Sequence, residues 1–143
     1  MTTRIGTGTT ITFLTSGFMA EIVGISIDGI KRDSIDVTHL ATPVAGVGEV
    51  GSRVKIPGKH VDPGQLKLTC HYDPDTDPPI QGAKEEVKIT YPLEEDELTA
   101  AYEQGDAFVV DVGAEVPLED KMMRTITIER SGPWTRTAST PVV

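Results

Sequence analysis

Along most of the chain, apolar and polar residues alternate with a period of two, the repeat of a strand that turns one face toward a core. "GTTITFL" (Gly8 to Leu14) interleaves threonines with Ile11 and Phe13. "AEIVGISIDGI" puts Ile22, Gly24 and Ser26 on one face and Val23, Ile25 and Ile27 on the other, and Asp28-Gly29 then supplies a turn. "DSIDVTHL" predicts a short strand through Ile35 and Val37. "QLKLTCHY" alternates strictly, with Leu66, Leu68, Cys70 and Tyr72 inward and Lys67, Thr69 and His71 outward. "EEVKITYP" repeats the device with Val87, Ile89 and Tyr91. "AFVVDV" and "RTITIER", the latter with Ile126 and Ile128 facing one way, bring the total to about seven strands. Short strands separated by turn signals predict an all-β sandwich or small barrel.

Three stretches break the pattern. "LEEDELTAAYEQG" (Leu93 to Gly105) has the composition of a helix, but at period two Leu98, Ala100 and Tyr102 form one face of a strand. "DPPIQG" offers a short helical turn, with Asp77 as cap and Pro78 at the first position. Residues 41–59, "ATPVAGVGEVGSRVKIPGK", show no sustained period, and structureless loops of that length in compact domains are usually functional or disordered. No internal repeat is visible, and one domain spans residues 1–143, with an N-terminal arm (1–7) and a C-terminal tail (133–143).

Charge sharpens the picture. The net charge of −9 is uneven: residues 1–60 carry net +1, residues 61–120 net −13, and residues 121–143 net +3. An acidic middle repels phosphate, which argues against a protein that grips DNA. One cysteine, Cys70, rules out an internal disulfide. The opening residues lack the apolar core of a signal peptide, and no window approaches a membrane span, so a soluble protein from a reducing cytoplasm is expected.

"GKHVDPGQLKLTCHYDPDTDPP" (residues 58 to 79) gathers two histidines, four aspartates and a cysteine, the residue types of a metal site. The spacing argues otherwise. Asp73, Asp75 and Asp77 begin like a calcium loop, but Pro78 and Lys84 stand where it needs a glycine and a bidentate acid. Cys70 and His71 are neighbours on a strand and point to opposite faces, so they cannot share an ion. Val61-Asp62-Pro63-Gly64 reads as a tight turn with Gly64 at positive φ. "GVGEVG" (Gly46 to Gly51) lacks the strand and helix that frame a phosphate loop, and no nucleophile–base motif is present. Neither a cofactor, a metal nor an enzymatic reaction is expected.

The order of three segments carries a resemblance: "SGFMAEIVGISIDGIKRDSIDVTHLAT", "RVKIPGKHVDPGQLKLTCHYDPDTDPPI" and "VPLEDKMMRTITIERSGPW". In that succession, over roughly residues 8 to 134, the chain resembles the major tail tube proteins of long-tailed, non-contractile bacteriophages. The resemblance implies a β-sandwich or small barrel with a short flanking helix, and a virion structural protein, assembled in the host cytoplasm, whose six-membered rings stack into a channel for DNA. Partners would be further copies of the chain and the tape-measure, tail terminator and distal tail proteins, with no membrane and no specific hold on DNA. It assigns residues 41–59 to subunit contacts, through Val44, Val47, Val50, Arg53, Val54 and Ile56. It reads residues 98–112 as a hairpin turning at Gln104-Gly105. The acidic run Glu94, Glu95, Asp96 and Glu97 departs from the family's pattern, and the net −13 of residues 61–120 makes these acids candidates for the channel wall. A head–tail connector or terminator is the alternative within virus structure. A carbohydrate-binding β-sandwich is the alternative outside it, disfavoured by an aromatic content of 5%.

Overall fold

A computed structural model describes residues 5–19, 22–39 and 51–142. They form ten strands: β1 (Thr10–Phe13), β2 (Ile22–Asp28), β3 (Lys31–Asp36), β4 (Lys55–Asp62), β5 (Gln65–His71), β6 (Glu85–Thr90), β7 (Glu97–Thr99), β8 (Tyr102–Glu115), β9 (Met123–Thr137) and β10 (Thr140–Pro141). Six of them build one antiparallel sheet in the order β1-β6-β8-β9-β5-β2. The other four make two-stranded ribbons, β3 with β4 and β7 with β10.

The sheet curls. Ile11 and Phe13 on one edge strand and Ile22, Ile25 and Ile27 on the other belong to a single apolar cluster, which a flat sheet of six strands cannot achieve. The cluster is built by the period-two alternation: Leu66, Leu68 and Cys70 from β5, Val87 and Ile89 from β6, Ala107 and Val109 from β8, and Ile126 and Ile128 from β9 are buried. Each such aliphatic side chain contributes about 1.5–3 kcal/mol by leaving water. The paired register Leu66↔Ile128 and Leu68↔Ile126 stacks them across the strands. On β2 a bulge between Ile22 and Gly24 moves Ile22 onto the same face as Ile25 and Ile27, whereas simple alternation had separated them.

Several expectations are corrected. Among the described residues there is no helix: a backbone bond from Gly82 to Pro79 closes a turn at "DPPIQG", and no helix flanks the sheet. Residues 98–112 are not a hairpin. β8 runs unbroken through Gln104-Gly105, bonded to β6 on one side and β9 on the other. Gly105 is instead a bulge packed under the Trp134 ring, where a Cβ would stand 2.5 Å from the ring. Residues 55–59 of the expected loop are the first part of β4, while residues 40–50 lie outside the described residues. The C-terminal tail joins the fold, as the end of β9 and as β10 beside β7.

Candidate functional site

The segment from Lys31 to Asp62 leaves the sheet as an arm. β2 runs on into β3, and β4 runs on into β5, so Asp28 pairs with Gln65 in the sheet and Lys31 with Asp62 just beyond it. Asp28-Gly29 and Asp62-Pro63-Gly64, read from sequence as two turns, are the two sides of one kink in a continuous ribbon. Gly29 and Gly64 both have positive φ there, at 75° and 82°. The kink is held from β9: the Arg130 N–H donates to the Gly64 carbonyl at 3.1 Å, and its Nε to the Pro63 carbonyl at 2.8 Å.

Arg130 is itself fixed from behind. Its guanidinium stacks 4.5 Å from the Trp134 ring and lies 3.6 Å from the carboxylate of Glu103, both charged side chains being buried. Glu103 also accepts from Arg136 Nε at 2.8 Å. Tyr91 hydrogen-bonds the same carboxylate, and burial followed by the Glu103 charge pushes the phenol above its ordinary pKa. This cluster was not anticipated from sequence. The available signal was Arg130, which shares the core face of β9 with Ile126, Ile128 and a second buried charge, Arg124.

Beyond the kink the ribbon is amphipathic. Ile35 pairs with Ile56, and a backbone bond from Val37 to Val54 extends the pairing by one step on the same face. Ile35, Val37, Val54 and Ile56 therefore form one apolar stripe, and they are 49%, 37%, 47% and 46% exposed. The other face is polar. Arg53 reaches Asp36 at 2.9 Å, and hydrogen bonds from Thr38 and then Arg53 hold the Asp36 carboxyl below its usual value. Along β3 and β4 the one buried residue is Gly58, against which Asp33 packs. Of the contact residues expected from sequence, Arg53, Val54 and Ile56 lie together on this arm, and Val44, Val47 and Val50 lie outside the described residues.

The curled sheet leaves a second surface. Its edges β1 and β2 do not pair, and between β2 and the segment leading into β1 (residues 5–9) runs a largely apolar cleft of about 790 Å³ lined by Ile5, Ile22, Val23, Ile25, Tyr91 and Pro92 among others, with no charge among the described lining residues. The acidic run follows Pro92 in the chain. Glu94 is half-buried, Glu95 and Asp96 are exposed, and Glu97 is buried at the start of β7.

The residue types of a metal site are dispersed. His60 is on the arm, 3.8 Å from Asp33; Cys70 is in the core, its thiol pushed up in pKa by burial; Asp73 closes a turn by accepting from the Asp75 N–H. No group of three such side chains among the described residues could hold an ion, and no described helix is long and apolar enough to cross a membrane.

No family model and no curated protein matches the sequence. The fold, however, is shared with solved structures. A chain of the sheath/tube terminator of an extracellular contractile injection system, PVC, superposes with a TM-score of 0.69 at 12% identity, over 96% of this chain and 99% of that one. A chain from the tail of an empty gene transfer agent particle, refined with C6 symmetry, gives 0.67 at 17% identity, over 95% and 100%. The SPP1 tail tube gives 0.54 at 11% identity, over 96% and 81%. The chain thus has the all-β fold of phage tail-tube-like proteins.

Proposed function

We propose that the chain is a structural subunit of a phage tail tube of the non-contractile kind, which closes into six-membered rings that stack into a channel for DNA. The observation that carries this reading is the arm: a two-stranded ribbon with an exposed apolar stripe, projecting from a curled sheet whose fold recurs over more than nine-tenths of this chain in the tail of a gene transfer agent. An isolated two-stranded ribbon is marginal in water, so such an arm is built to be covered. Residues 41–59 with their flanking strands serve as the subunit contact. The tape-measure, terminator and distal tail proteins are partners at the ends of the tube. Part of the acidic excess of residues 61–120 lines the channel, where negative charge keeps phosphate from sticking. The chain carries out no reaction.

Electron microscopy of the purified protein is the test. Long bare tubes are the expected result. Isolated rings that never stack favour the second reading, a terminator, which the likeness to the PVC terminator supports. Monomers at every concentration overturn both.

A further inference from the structure

The arm and the cleft both present apolar side chains, and they differ in shape: one is a narrow stripe on a ribbon, the other an open groove. We propose that the stripe Ile35–Val37–Val54–Ile56 of one copy docks into the β1–β2 cleft of a second copy. This inference rests on the self-assembly proposed above and names the surfaces that accomplish it.

Three observations point to this occupant. First, the arm cannot use its own cleft: its base is fixed by the Gly29–Gly64 kink and the two bonds from Arg130, and in the folded chain its stripe stands exposed. Secondly, among the described residues the cleft wall carries no charge, and Ile5, Ile22, Val23 and Ile25 give it an aliphatic lining. Uncharged walls suit aliphatic side chains. Thirdly, the charges complement. Residues 31–62 carry five Lys/Arg against four Asp/Glu, net +1, while the rest of the chain carries eight against eighteen, net −10. A faintly basic arm is drawn to the acidic body of another copy, in which Glu94, Glu95 and Asp96 come just after Pro92 of the cleft wall in the chain, with Leu93 between. Contact between two different patches is head-to-tail, the kind that closes into a ring when the rotation allows.

The test uses two variants of the full chain, Ile56→Asp on the arm and Val23→Asp in the cleft; both side chains are exposed, so both variants should keep the cooperative unfolding of the wild type. Each variant alone should fail to assemble. An equimolar mixture should form a heterodimer and nothing larger, because one intact arm and one intact cleft remain between the two. Light scattering reads the result. If either variant fails to fold, Val54→Cys copies are mixed with Val23→Cys copies under oxidising conditions, and a disulfide between positions 54 and 23 of different copies is expected. Wild-type assembly together with assembly of Val23→Asp, or assembly without the cross-link, overturns the docking and leaves the tube intact. A wild-type chain that never assembles overturns both.

Discussion

Gly64 lies against the carbonyl oxygen of Asp28 so closely that a Cβ at Gly64 would stand 2.1 Å from it. No real carbon occupies that position, and the backbone φ of +82° disfavours a side chain in any case. The contact sets how the arm departs from the sheet. It lies on the strand that leads from the exposed ribbon into the most regular part of the core, so a local change there reaches both.

Gly64→Ala should therefore cost well over the roughly 1–2 kcal/mol of the left-handed conformation alone. Gly17→Ala is the control: Gly17 has φ +69° with open space around it, which isolates the conformational cost. Urea unfolding of the two variants measures the difference. Equal losses would show that the kink tolerates being opened.

Glu103 faces two arginines from a buried position, and one of them holds the kink. Glu103→Gln keeps the shape but leaves the Arg130 guanidinium without its counter-charge. Breaking one partner of a buried pair costs about 3–5 kcal/mol. Removing both, as Glu103→Gln with Arg130→Met, should cost less than the sum of the two single changes. Thermal unfolding of the four proteins gives the coupling, and strict additivity would show that the pair is not energetically linked.

The core strands β5, β6 and β9 were legible because each buries one face, so that burial imprints alternation on "QLKLTC", "EVKI" and "TITI". Of the arm only the first strand was legible, through Ile35 and Val37 in "DSIDVTHL"; the second was not, because Pro57-Gly58 within β4 looks like a loop. Gly105 was misread for a different reason. The residue that demands a glycine there is Trp134, distant in the chain, and no local pattern announces a ring lying over a strand. The two Gly-containing turn signals were each recognised, but their stacking into one kink depends on strand pairing across the intervening arm. Arg53, Val54 and Ile56 could thus be grouped on one segment from sequence, while the clamp that orients that segment could not be found there.

Cys70 lies in the core with no exposed surface, and burial raises its thiol pKa, so thiolate is scarce near neutrality. The folded protein should resist a thiol-alkylating reagent and react fully in urea. Mass spectrometry reads one adduct per unfolded chain. Rapid labelling of the native protein would show that β5 opens readily.

Tyr91 connects the same cluster to pH. Its phenol is partly buried, faces the Glu103 charge and bonds that carboxylate, and each of these disfavours the phenolate. In the unfolded chain the phenol ionises near its ordinary value of 10.0, while in the fold it keeps its proton to higher pH. The folded state thus binds more protons just above that point, and stability falls as pH rises. The contribution is fully present below about pH 10 and is lost on the way up to the folded pKa. Tyr91→Phe cannot ionise, so it should lose this part of the alkaline decline, although it gives up the hydrogen bond at neutral pH. Thermal midpoints of wild type and variant, compared from pH 8 to pH 11, test it. The two curves should converge as pH rises; parallel curves throughout would show that Tyr91 does not sense the Glu103 charge.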